Sequence, residues 1–167
     1  MSRYFLELAY KGTNYHGFQI QDNAPTIQLE IEKALETLFK TRFELTGSSR
    51  TDAGVHALQN YFHFNTNLPI TNKHLYNLNA ILPADIAVKS IKAVADDAHC
   101  RFDAVARSYE YYIYQDKNPF LKDRGWFYPY ELDFALLQQA AGILKNHTDF
   151  TSFAKRNTQV FTHNCNI

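Results

Sequence analysis

Cysteine is scarce in this chain of 167 residues: there are two, Cys100 and Cys165. Two cysteines so far apart build no disulfide framework. His99 and His163 lie close to them, but the spacing matches no zinc pattern. No apolar run approaches the ~20 residues that a membrane span needs. Met1-Ser2-Arg3-Tyr4-Phe5 is not expected to open a signal peptide. A reducing cytoplasm is the expected setting. An excess of one charge is also missing, since 17 Lys and Arg balance 17 Asp and Glu. That leaves a local basic groove as the only electrostatic route to a nucleic acid. No glycine-rich phosphate loop ending in Lys-Ser or Lys-Thr follows a strand, and no Gly-x-Ser-x-Gly elbow occurs. Internal repeats and low-complexity tracts are absent too.

What is present is apolar and aromatic. Hydrophobic residues make up 46% and aromatic residues 15% of the chain, enough for a packed core and too much for disorder. Tyr4, Leu6, Leu8 and Tyr10 alternate with Phe5, Glu7 and Ala9, the period of a strand. A polar segment with two glycines runs from Lys11 to Asn23. Pro25 and Thr26 then open a helix with Ile27, Ile31, Ala34, Leu35, Leu38 and Phe39 on one face. Phe43 to Thr46 predicts a short strand, and Asn60 to Thr66 another. Thr71 or Asn72 caps a second helix bearing Leu75, Leu78 and Leu82, and Pro83 ends it. Ile86 to Val94 is the next strand.

The order β-α-β-β-α-β predicts an α+β, ferredoxin-like unit over residues 1–98, with an antiparallel sheet and both helices on one face. Residues 99–167 are expected to form part of a second α+β domain. There Arg107 to Tyr114 predicts an aromatic strand, with Tyr109, Tyr111 and Ile113 on one face and Tyr112 and Tyr114 on the other. Asp133 caps a helix carrying Phe134, Leu137, Ala141 and Leu144, and Gln159 to Ile167 predicts a last strand. This second region is expected to be incomplete.

The chemistry-bearing stretch is Gly47-Ser48-Ser49-Arg50-Thr51-Asp52-Ala53-Gly54-Val55-His56-Ala57. It sets one carboxylate, Asp52, in a loop between two strands and two glycines. A carboxylate serves as a nucleophile or an acid–base group, or it merely caps a turn. Arg50 would favour the ionised Asp52 if the two groups are close, and its planar guanidinium suits stacking in place of an extruded base. Tyr109 offers a ring to stack on a uracil, or fills a core. Lys11-Gly12-Thr13-Asn14-Tyr15-His16-Gly17-Phe18-Gln19-Ile20-Gln21 is either a phosphate- and base-contacting segment or an ordinary loop. Lys11, Arg50, Arg101, Arg107, Lys155 and Arg156 are candidates for a basic groove.

Three of these stretches, in this order, resemble the TruA family of tRNA pseudouridine synthases: Tyr10 to Gln19, Ser49 to Ala57, and Arg101-Phe102-Asp103-Ala104 through Arg107-Ser108-Tyr109-Glu110-Tyr111. Asp149-Phe150-Thr151-Ser152-Phe153 is a weaker fourth. The resemblance implies conversion of uridine to pseudouridine in the anticodon stem-loop of tRNA, at positions 38, 39 and 40. It implies no cofactor, no metal and a homodimer. It makes Asp52 the catalytic residue, Arg50 the group that helps to extrude the target, and Tyr109 the ring on the uracil. Thr51, Lys11 and Gln19 join Arg50 and Tyr109 as substrate-binding residues. Family members are longer and carry a later arginine that pairs with the catalytic aspartate, so this chain is expected to be an N-terminal portion. A ferredoxin-like module that binds RNA without catalysis is the alternative reading.

Overall fold

A computed structural model describes residues 1–155 and 162–167. The first strand, β1 (Ser2–Tyr10), buries Leu6, Leu8 and Tyr10 as its period of two predicts. Helix α1 (Ile27–Phe39) begins where Thr26, itself buried, accepts the Leu29 amide on its hydroxyl at 3.3 Å. It buries Ile27, Ile31, Ala34 and Leu35 and stops at Lys40, which takes the left-handed conformation at φ 55°. Strand β2 (Thr46–Gly47) is shorter than the sequence predicts, because only Thr46 and Gly47 find ladder partners, His63 and Phe62. Phe43 and Leu45 still enter the core.

Strand β3 (Ala57–Thr66) starts earlier than predicted. Helix α2 (Asn72–Ile81) is closed at its start by a reciprocal cap between Thr71 and His74. Strand β4 (Ile86–Val94) completes a four-stranded sheet of order β2-β3-β1-β4. β1 lies antiparallel between β3 and β4, pairing Leu6 with Phe62 on one side and with Ile91 on the other. This is the expected ferredoxin-like arrangement. The core lies between sheet and helices, with Phe18 stacked on Phe62 at 4.5 Å between ring centres and Phe43 edge-on to Phe64 at 5.3 Å.

The first compact unit runs from Met1 to Tyr111, beyond the boundary expected after residue 98. The chain after β4 stays with the sheet because three contacts hold it. Arg3 donates to the Ala98 carbonyl at 2.8 Å, the Cys100 sulfur lies 3.2 Å from the Thr46 carbonyl, and the His63 ring touches that sulfur at 3.2 Å.

The second unit spans Tyr112–Ile167. Here β5 (Ile113–Tyr114) pairs in parallel with β6 (Trp126–Phe127). The predicted aromatic strand from Arg107 thus shrinks to its last two residues: side-chain alternation makes a strand only where a neighbour supplies ladder bonds. Helix α3 (Phe134–Leu144) is capped by Asp133, which accepts the Leu136 amide at 3.0 Å, and none of its residues is buried. Of the predicted strand from Gln159, residues 159–161 lie outside the described residues, and the rest contributes one bridge, Asp149 with Asn164. Among the described residues no helix is long and apolar enough to cross a membrane.

Candidate functional site

The loop between β2 and β3 is clamped along its length. At its start, Gly47 lies so close to Phe18 that a β-carbon would meet the ring at 2.3 Å, and the Ser48 amide donates to the Tyr61 carbonyl at 2.8 Å. In the middle, the Thr51 carbonyl accepts the Phe18 amide at 3.0 Å, and the Thr51 hydroxyl meets the Tyr10 hydroxyl at 2.8 Å. Beyond it the chain turns through Ala53 and Gly54. The Val55 amide donates to the Asp52 carbonyl, the Gly54 amide donates to the Tyr15 carbonyl, both at 3.2 Å, and Gly54 takes φ 80°. At the end, His56 accepts the Gly12 amide on Nδ1 at 2.9 Å, which puts any proton of the neutral ring on Nε2.

The segment Lys11–Gln19 forms the facing wall. Asp85, just before β4, holds it three times: its backbone carbonyl accepts the Lys11 amide at 2.8 Å, and its carboxylate accepts from Tyr15 Oη at 2.6 Å and Asn14 Nδ2 at 3.1 Å. Burial, and next the Asp85 acceptor, push the Tyr15 phenol up. Gly17 takes φ 104° where a β-carbon would come within 3.0 Å of the Thr51 carbonyl, so the two segments pack backbone to backbone. The β1–β3 register also slips between Leu8 and Tyr10, so that Leu8 faces Asn60 but Tyr10 faces Ala57. Such a bulge re-aims a side chain, here Tyr10 toward the loop. Burial pushes the Tyr10 phenol up, against the bonds from Thr51 and Asn60, so Tyr10 enters as a neutral hydroxyl.

On this frame the predicted residues divide. Thr51 and Lys11 are half-buried in the clamp, whereas Asp52, Arg50 and Gln19 are exposed. Among the described residues no hydrogen bond or ion pair engages the Asp52 carboxylate or the Arg50 guanidinium, so the condition on which Arg50 would favour ionised Asp52, closeness of the two groups, is not met by a contact. Tyr109 is 78% exposed in the irregular segment after Arg101.

Of the groove candidates, Arg107 reaches the base of the loop, donating to the carbonyls of Ser48 at 3.2 Å and Arg101 at 3.1 Å. The Arg101 guanidinium lies over the Phe102 ring at 5.8 Å. Lys155 belongs to the second unit, and Arg156 lies outside the described residues. Among the described residues no three His, Cys, Asp or Glu side chains are placed to hold a metal ion. The arrangement therefore presents one solvent-open carboxylate on a loop whose backbone is fixed from both sides, the geometry a reacting group requires.

The sequence reading does not single out Tyr10, Asn60 or Asp85 as part of this frame. A signal existed for Asn60: strand alternation sets it on the inward face with Phe62 and Phe64, where an amide needs a reason.

The sequence pattern of a family described as tRNA pseudouridine synthase fits residues 8–103. A protein of Parabacteroides distasonis named tRNA pseudouridine synthase A is 44% identical across the whole of this chain, which covers 67% of that protein. A protein of Bacteroides fragilis with the same name is 45% identical, again across the whole chain and 67% of its own length. One from Staphylococcus aureus strain MRSA252, also so named, is 42% identical over 95% of this chain and 61% of its own length. The chain thus spans about two thirds of the length of these relatives, or somewhat less. The fitted residues contain Lys11, Gln19, Arg50, Thr51 and Asp52 and end before Tyr109.

Proposed function

Since the chain belongs to the tRNA pseudouridine synthase family, we propose that it isomerises uridine to pseudouridine in the anticodon stem-loop of tRNA, with Asp52 as the catalytic residue. One observation carries the assignment of Asp52. It is held by main-chain bonds on a fixed loop, and its carboxylate is exposed and takes no partner among the described residues. An aspartate that caps a turn spends its side chain on nearby amides; this one does not.

The chemistry follows from what the reaction demands. A uridine inside a helix hides its sugar and its C5 edge, so it must be flipped out. Arg50, exposed two residues from Asp52, takes the place of the extruded base. Tyr109 stacks on the uracil, and Thr51, Lys11 and Gln19 contact the substrate around it. The Asp52 carboxylate acts at the sugar as the bond from C1′ to N1 breaks. The freed uracil turns, C5 bonds to C1′, C5 gives up its proton and N1 gains one. Atoms and electrons balance within the nucleotide, as an isomerisation requires. The working assembly in this reading is a homodimer.

The test is pseudouridine formation on an unmodified tRNA, read by mass spectrometry, with Asp52→Ala alongside. The expected result is product from the parent chain and a loss of at least about a thousandfold in the variant, at unchanged tRNA affinity. Full turnover by Asp52→Ala overturns the catalytic assignment. RNA binding with no product, from this chain and from one completed to the length of its relatives, overturns the enzymatic reading and favours a binding module.

A further inference from the structure

We propose that Asn60, acting through Tyr10, is a positioning residue that sets the Asp52 loop for reaction. This rests on the pseudouridine synthase reading and assigns that site a further part.

Asn60 lies on the inward face of β3 and is 4% exposed. A buried amide is tolerated when its donors and acceptors are met, and here all four are. Oδ1 accepts from the Ser49 hydroxyl at 3.3 Å and from the Tyr61 amide at 2.8 Å. Nδ2 donates to the Ser49 carbonyl at 3.2 Å and to Tyr10 Oη at 3.1 Å. That is the full capacity of the side chain.

Tyr10 Oη accepts the Asn60 N–H and lies 2.8 Å from Thr51 Oγ1, a contact in which either hydroxyl can donate. Asn60, Tyr10 and Thr51 thus form one hydrogen-bonded chain from β3 to the loop, and bonds in such a chain strengthen one another. Asn60 also holds Ser49 directly. The two tied residues, Ser49 and Thr51, flank Arg50, and Thr51 precedes Asp52. Apolar side chains at positions 10 and 60 would remove the bonds to Ser49 and to the Thr51 hydroxyl.

The test separates positioning from plain stability. Tyr10→Phe removes one hydroxyl and keeps the ring that packs near Phe18 at 6.1 Å. Asn79→Ala is the control. Asn79 also joins two elements through its amide, donating to the Val88 carbonyl at 2.9 Å and accepting the Val88 amide at 2.8 Å, away from the loop. For each variant we would measure the single-turnover rate, tRNA affinity, melting temperature, and hydrogen exchange at the Gly54 and Val55 amides.

Tyr10→Phe is expected to slow the chemical step by about ten- to a hundredfold, with tRNA affinity unchanged and faster exchange at both amides. Asn79→Ala lowers the melting temperature and leaves the rate and the exchange of those amides as they were. A parental rate in Tyr10→Phe overturns the proposal, and so does a rate that falls equally in Asn79→Ala. If neither this chain nor one of its relatives' full length makes product, the functional reading fails on its own. Unchanged exchange in Tyr10→Phe would then still overturn the claim that this network holds the loop.

Discussion

Gly12 and the Val55 carbonyl are in such close contact that a β-carbon on Gly12 would sit 2.0 Å from the Val55 oxygen and 2.7 Å from its carbon. The obstacle is backbone on both sides, so neither partner can swing away as a side-chain tip would. Gly12→Ala must part the two walls of the site and break the bond from the Gly12 amide to His56. The expected cost is about 1–3 kcal/mol, the usual penalty of forced overpacking, measured as a lower urea midpoint. Pseudouridine formation should fall with it.

Asp85 anchors the Lys11–Tyr15 wall through both carboxylate oxygens. Asp85→Ala leaves the Tyr15 hydroxyl without its acceptor and should cost about 1–3 kcal/mol, as for other bonds to a charged group. Because the freed segment carries Lys11 and leads to Gln19, tRNA affinity should weaken more than the chemical step slows. Filter-binding and single-turnover assays on the same preparation would show the split.

Stability should depend on pH through His63. Burial holds its imidazole below the ordinary 6.5, helped by the charges of His99 and Arg3 and opposed by Asp103. Below 6.5 the unfolded chain therefore binds the proton that the folded chain refuses. The contribution is complete above 6.5 and is lost as pH falls from there toward the lower folded value. Unfolding free energy measured across this range should decline on the acid side, and His63→Gln should flatten the decline.

The two cysteines should react very differently. Cys100 is buried, and burial pushes its thiol up to about 11, while Cys165 is exposed. At neutral pH, iodoacetamide should label Cys165 promptly and Cys100 only after denaturant is added. Peptide mass spectrometry of the two alkylated sites reads this directly.

Most of the first unit was legible because its signals are local. The periods of β1, α1 and β4 sit in the sequence, Thr26 marks the first helix start, and of the two candidate caps for the second, Thr71 and Asn72, the structure has Thr71. The aromatic run from Arg107 misled for a physical reason: alternation describes side chains, whereas a strand needs a paired neighbour in register, and in this run the ladder pairs Ile113 with Trp126 and Tyr114 with Phe127. In the site, the loop of Asp52 announces itself by its residues. Tyr10 and Asp85 do not, because Thr51 lies 41 positions from Tyr10 and Tyr15 lies 70 from Asp85. Whether Arg50 approaches Asp52 stayed open in the sequence, since two residues' separation in a loop does not fix where either side chain goes.

The clamps around Asp52 join distant parts of the chain: Tyr10 meets Thr51 across 41 positions, and Tyr15 meets Asp85 across 70. Contacts of that span form late, because closing so long a loop costs chain entropy before any bond repays it. On a ribosome, which releases the chain from its N-terminus, the Asp52 loop emerges well before Asp85 does. The Asp52 carboxylate is thus synthesised before the last of its fixtures, and its surroundings are completed only once the start of β4 is free to pair.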